Sequence, residues 1–280
     1  MRDEKRIFDR LNKDMQRLQK DGFEVVGVFL RGSQNYNLDC DNSDIDTVAI
    51  VLPSIDDVIL NKQPISTTLP ECKVLILGDG KEHIIDGHIE VKDIRKMFEM
   101  YKKQNSCYVE TLFTKYYVLN SEYEYLYSLM LDSAESIARY NPIATVRCIV
   151  GTIANRVDAL CHTYPTKQDI INKYGFDSKQ LHHILRCKDF LIKYINNVPY
   201  KDCLIPTDVD YLLKVKTTPT LFTKEEAISL ALSTLEECSG IEKDFIAKCS
   251  PHPNKLVESL FSDVLTKIIS KFFKKLLQNS

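Results

Sequence analysis

Residues 23–52 read FEVVGVFLRGSQNYNLDCDNSDIDTVAIVL. An apolar run over 23–30 ends at Arg31 and enters a turn at Gly32-Ser33. A polar loop follows, and then Asp44 and Asp46 open a second apolar run over 48–52. Residues two apart on a strand point to the same face, so the two carboxylates are expected side by side. Like charges so placed repel unless something positive sits between them. A divalent cation is the usual solution, and Mg²⁺ is typically held by one or two carboxylates plus substrate phosphates. A glycine turn directly after a strand suits close backbone approach to those phosphates. Turn chemistry in Asn42-Ser43-Asp44 is the plain alternative for Asp44. It does not account for Asp46, an acid at the start of an apolar strand.

Outward from this segment, Ile7, Leu11, Met15 and Leu18 recur at helical spacing within 3–20, and Gly22 is a stop signal. Strands are expected at about 23–30, 44–52, 72–77 and 84–91, with Gly78-Asp79-Gly80-Lys81 as a hairpin turn. Asp93 stands where a helix N-cap belongs, before IRKMFEMYKKQ. A short helix near 107–113 and a strand near 115–119 complete a mixed α/β region. From about 121 the strand signals fade. Segments 121–138, 142–161, 166–174, 178–196, 208–215, 223–238 and 252–278 read as helices, punctuated by Pro142, Pro165, Pro199 and Pro206. The change from strands with helices to helices alone predicts a domain boundary at 120/121.

The 280 residues suffice for one large or two modest cores. With 44% hydrophobic and 27% charged residues the composition is that of a soluble globular chain, and no apolar run is long enough to span a bilayer. The charged, helical N-terminus is not patterned as a signal peptide. Nine cysteines without a C-x-x-C pair predict free thiols in a reducing compartment, hence a cytoplasmic location. A net charge of −2 argues against a broad non-specific DNA-binding surface and leaves room for a local basic groove.

Gly32-Ser33, the ten residues 34–43, and then Asp44-Ile45-Asp46 resemble the signature of the DNA polymerase β superfamily of nucleotidyltransferases. The wider string RGSQNYNLDCDNSDIDTVAIVLP resembles its RNA-repair-pathway branch, as do segments 91–120 and 173–191, so the resemblance spans roughly 23–215. It implies an α+β fold, with a mixed-sheet catalytic domain at 1–120 followed by an all-helical domain at 121–280. It further implies transfer of a nucleoside monophosphate from an NTP to a hydroxyl, with release of pyrophosphate. Asp44 and Asp46 would hold two Mg²⁺ ions, with Mn²⁺ as a substitute. Gly32 and Ser33 would grip the phosphates. Such two-metal transfer usually needs a third carboxylate. Asp86 and Glu90 share a strand face; Glu90, between Ile89 and Val91, has the superfamily's apolar-acid-apolar pattern, and the resemblance implies that it holds the catalytic metal with Asp44 and Asp46 and draws the proton from the acceptor. The family usually shows Asp there, one methylene shorter. The plain reading of either acid is a solvent-facing strand residue. Arg31 is placed to pair with phosphate or with Asp46. Gln34, Asn35 and Tyr36 either touch the sugar or base or cap a short helix.

Lys179, His183 and Arg186 recur at i, i+4, i+7 and so share one helix face. A solvated basic face is the ordinary reading of such a trio. The resemblance of K-Q-L-H-H-x-x-R to the family's string implies nucleotide or RNA-backbone binding instead. Tyr36, Tyr174 and Tyr200 are the nearby candidates for base stacking. In 252–278 apolar pairs repeat every four residues, from Leu256-Val257 to Leu276-Leu277. The stripe drifts about 40° per repeat around a helix of 3.6 residues per turn. It reads as core packing, with a homodimer contact or a basic membrane-surface helix as sharper alternatives. The family points to an RNA 3′ end as acceptor. A protein-nucleotidylating enzyme of antitoxin type, a small-molecule nucleotidyltransferase and an inactive nucleotide- or RNA-binding relative are the alternatives.

Overall fold

The computed structural model describes residues 4–40, 43–70, 74–76, 82–84, 87–163, 168–249 and 253–278. The protein is α+β and divides into two compact units. The first comprises 1–35, 39–140 and 253–280, and the second 36–38 and 141–252.

The first unit opens with α1 (Glu4–Lys20), followed by β1 (Val25–Arg31), β2 (Asp46–Val51), α2 (Ile55–Ile59) and β3 (Ser66–Pro70). Next come β4 (Val74–Ile76), β5 (Glu82–Ile84), β6 (His88–Asp93), α3 (Ile94–Lys102), α4 (Ser106–Val109) and β7 (Tyr117–Leu119). Five strands form one mixed sheet in the order β3-β6-β2-β1-β7; β2 and β6 are parallel and the other pairs antiparallel. β2 is central and flanked on both sides, which is why its apolar residues run on from Thr47 without alternation. Register and the two-residue period sort the side chains. Val28, Leu30, Ala49, Val51, Ile89 and Val91 meet Ile7, Leu11, Met15 and Leu18 of α1 in one core. Burial of each large apolar side chain here contributes about 1.5–3 kcal/mol. Asp14 sits on this apolar face of α1 because its carboxylate is satisfied: it accepts from Arg10 Nε at 2.8 Å and from Thr47 Oγ1 at 2.6 Å.

The opposite sheet face carries Phe29, Arg31, Asp46, Val48, Glu90 and Lys92. Helices α3, α5 (Glu124–Asp132), α6 (Ala134–Ala138) and, much later in the chain, the C-terminal helix also belong to this unit. Asp93 caps α3 as expected, accepting from Arg95 N at 2.8 Å.

The second unit contains α7 (Pro142–Ala159), α8 (Gln168–Tyr174), α9 (Ser178–Ile195), α10 (Tyr200–Leu204), α11 (Val209–Thr217) and α12 (Lys224–Lys248). α9 packs against α7, α10, α11 and α12 and buries Leu181, Ile184, Phe190, Leu191 and Tyr194. Pro142 occupies the first turn of α7, where its missing N–H costs nothing.

Three expectations change. The division falls at 140/141 instead of 120/121, because the Tyr127 ring of α5 packs at a tilt against Phe29, 5.4 Å between centres, and its hydroxyl bonds that of Tyr101 at 2.8 Å. The C-terminal helix α13 (Lys255–Gln278) returns to the sheet unit: Phe261 packs on Phe98, Tyr101 and Tyr140. Its stripe is therefore core packing along Val257, Phe261, Val264, Ile268 and Phe272. Lastly, the strand expected at 84–91 is two. β5 pairs with β4 in a separate ladder and β6 joins the main sheet, with Gly87 at φ +53° between them. The turn residues 78–81, Pro165 and Asp86 lie outside the described residues.

Candidate nucleotide and metal site

The turn after β1 is built by backbone demand. Gly32 has φ +96°, a left-handed conformation that favours glycine. Ser33–Tyr36 then form a 3₁₀ turn closed by Asn35 N donating to Gly32 O at 3.0 Å. Asn35 Nδ2 donates back to Leu30 O at 3.0 Å, and Thr114 Oγ1 donates to Asn35 Oδ1 at 2.7 Å. Gln34, only 5% exposed, donates its amide to Asp44 O at 2.6 Å and so ties the turn to the aspartate segment. Gln34 and Asn35 are thus structural parts of the turn.

Arg31 and Asp46 are register partners across β1 and β2, which sets Gly32-Ser33 beside the start of β2. Asp46 is the first residue of that strand, and Asp44 precedes it, exposed. The two-residue strand argument therefore holds from Asp46 onward and does not reach Asp44. Asp46 is 37% exposed, and its Oδ1 accepts from His88 N at 3.2 Å and lies 3.0 Å from His88 Nδ1. His88 escaped the sequence reading, although it stands two positions before Glu90 on the same strand face.

Glu90 lies on the same sheet face as Asp46, one strand over. Its environment differs sharply. One oxygen pairs with Arg31 Nη1; the other lies 2.6 Å from Lys92 Nζ and accepts from the Tyr108 hydroxyl at 2.6 Å. Arg31 Cζ and Lys92 Nζ sit 5.0 and 5.4 Å from the centre of the Tyr108 ring. Lys92, 7% exposed, also donates to Ser66 Oγ. Burial works to raise the Glu90 pKa, but Lys92, Tyr108 and Arg31 together hold it below the ordinary carboxylate range. Burial likewise opposes the Arg31 charge, and Glu110, Cys107 and Glu90 outweigh it, so Arg31 keeps its proton more firmly than usual. Tyr108 is pushed up, first by burial and then by Glu90. Arg31 therefore pairs with Glu90, where the sequence offered phosphate or Asp46. Lys92 was legible as a cation in an apolar strand, two residues from Glu90; Tyr108 carried no signal.

Asp44 and Asp46 present hard oxygen donors with access to water, which suits Mg²⁺. Glu90, in contrast, is already paired with two cations. Among the described residues no three His, Cys, Asp or Glu side chains are gathered for a metal ion.

The second unit holds the basic trio of α9. Arg186 lies over the Tyr36 ring, with Cζ 4.2 Å from its centre. Half-buried His183 has its pKa pushed well below the ordinary range by burial, then by Arg186, His182, Arg156 and Lys179. The structure thus adds Arg156 of α7 to the trio; it donates to Gln180 Oε1 at 3.0 Å. Lys216 of α11 donates to Leu38 O at 2.7 Å. Of the stacking candidates, Tyr36 and Tyr200 are buried, and Tyr200 packs edge-on against Phe190 at 5.1 Å. Tyr174 is half-buried, with Lys173 Nζ 5.0 Å from its ring centre.

No protein-family model matches the chain, and no curated protein matches it. No helix among the described residues is long and apolar enough to cross a membrane.

Proposed function

We propose that this protein is a nucleotidyltransferase of the polymerase β type, transferring a nucleoside monophosphate from an NTP to a hydroxyl, with an RNA 3′ end as acceptor. The observation that carries the reading is the register of Arg31 with Asp46, which sets a left-handed Gly32 turn beside that aspartate, while Gln34 ties the same turn to Asp44. Asp44 and Asp46 would hold Mg²⁺, which supplies charge neutralisation on the transferring phosphoryl group. Gly32 and Ser33 offer backbone N–H groups and a hydroxyl to the remaining phosphates. Arg31 contributes a fixed cation immediately before that turn. Catalysis then rests on positioning and electrostatics, with no protein nucleophile. Lys179 and Arg186 of α9, with His183 beside them as a neutral imidazole, support the reading separately, as a basic face for phosphates.

The test incubates the full chain with Mg²⁺, each labelled NTP in turn, and separate tRNA, protein and small-molecule fractions. Label in RNA is expected, and its loss in Asp46→Asn ties transfer to this site. Label only in protein or in small molecules would move the acceptor while keeping the chemistry. No label in any fraction, or full turnover in Asp46→Asn, would reject the reading.

A further inference from the structure

We infer that Glu90 is a positioning residue and not a metal ligand: it orients the Arg31 guanidinium and the Lys92 ammonium, leaving Asp44 and Asp46 as the protein carboxylates that hold the metal. This rests on the nucleotidyl-transfer reading and departs from the three-carboxylate pattern that the resemblance implied.

A carboxylate has about four acceptor sites on its two oxygens. Three of those on Glu90 are filled, by Arg31, Lys92 and the Tyr108 hydroxyl. The group is also enclosed: the side chains of Glu90, Lys92 and Arg31 are 14%, 9% and 21% exposed. A metal ion at Glu90 would compete with two cations already held in a largely enclosed site. Leaving one partner of such a pair uncompensated is strongly destabilising. Asp46 faces the opposite situation. Its contacts are a backbone N–H and a half-exposed imidazole, and its side chain is more than twice as open as that of Glu90.

The Tyr108 ring explains why the cations stay put. It lies under both, so each gains a cation–π contact while its polar side faces Glu90. Glu90 thus fixes the direction of Arg31, and Arg31 directly precedes the Gly32-Ser33 turn. A pre-oriented guanidinium loses less entropy on meeting a phosphate than a free one. The arrangement assigns metal binding to Asp44 and Asp46, and phosphate affinity to the Glu90-held cations.

The experiment measures Mn²⁺ binding to the full chain by electron paramagnetic resonance, and the KM for ATP in the transfer assay. Asp46→Asn is expected to weaken Mn²⁺ binding by about tenfold or more, and Glu90→Gln to change it by less than about twofold. Glu90→Asp keeps the charge and shortens the reach, so it cannot hold both cations; its KM for ATP should rise about fivefold or more with kcat much less affected. Mn²⁺ loss in Glu90→Gln equal to that in Asp46→Asn would overturn the inference and leave nucleotidyl transfer standing. Wild-type KM in Glu90→Asp would overturn it too. Undiminished Mn²⁺ binding in Asp46→Asn would instead sink the nucleotidyl-transfer reading itself.

Discussion

A β-carbon on Gly87 would lie 2.8 Å from Oδ1 of Asp46 and 2.5 Å from the carbonyl oxygen of Ile45. The glycine also has φ +53°, which side chains adopt at a cost. The backbone at Gly87 therefore lies directly over the candidate metal ligand, where a side chain has no room. Gly87→Ala should destabilise the protein by roughly 1–3 kcal/mol, read from urea unfolding. Transfer activity should fall further than the lost folded fraction explains, because Asp46 must move. A variant with wild-type midpoint and turnover would show that the approach is not tight.

His182 is 2% exposed, and its Nδ1 lies 2.9 Å from Leu212 O. Burial, with Arg186, Lys216 and Lys179 nearby, lowers its pKa from 6.5 to about 4. The folded state therefore prefers neutral imidazole. Its contribution to stability is complete above pH 6.5 and is lost as pH falls from there toward 4, because the unfolded chain takes up the proton first. The full loss is on the order of 3 kcal/mol. Urea unfolding of wild type and His182→Gln at pH 7.5 and 5 should show the smaller pH dependence in the variant. Parallel curves would mean that His182 titrates normally.

Phe261 is fully buried, with ring centres at 5.8 Å from Phe98, 6.4 Å from Tyr101 and 5.5 Å from Tyr140. Phe261→Ala should cost about 3–5 kcal/mol. Leu256 and Leu277, on the same helix, are 82% and 71% exposed, and their alanine variants should stay within about 0.5 kcal/mol. Denaturant midpoints of the three variants test whether α13 completes the sheet unit. A small effect at Phe261 would mean that it does not.

The legible parts of this chain were those where one local rule decided the outcome. The helical spacing of Ile7, Leu11, Met15 and Leu18 marked α1 because one face had to be buried, and it is. Asp93 marked the start of α3 because an N-cap acts within its own turn. β3 was missed: STTLP is a polar edge strand without alternation, and its place is set by pairing with β6. The partners of Glu90 depend on long-range assembly. Arg31 is 59 positions away, and a strand pattern says nothing of what a neighbouring strand delivers. For the same reason the boundary was misplaced, since α5 reaches β1 and α13 reaches α3 through aromatic contacts distant in sequence.

Arg186 carries the last prediction. Its guanidinium carbon lies 4.2 Å from the centre of the Tyr36 ring, a cation–π contact, and Lys179 and Arg156 add their charge around the same stretch of α9. Burial holds His183 neutral at physiological pH, so the charge of this face comes from Arg156, Lys179 and Arg186. A chain of net charge −2 has no broad positive field to add. RNA binding should therefore depend on salt as a few phosphate contacts do, with each contact contributing a slope of about −0.7 for single strands. Arg186→Gln should lower affinity for a single-stranded RNA and make that slope shallower by about one contact. Arg186→Lys should keep the slope and still bind more weakly, because an ammonium lacks the planar, multi-donor fork of the guanidinium over Tyr36. A salt titration of RNA affinity for the three proteins separates these effects. Identical slopes for wild type and Arg186→Gln would remove this helix face from the RNA-binding surface.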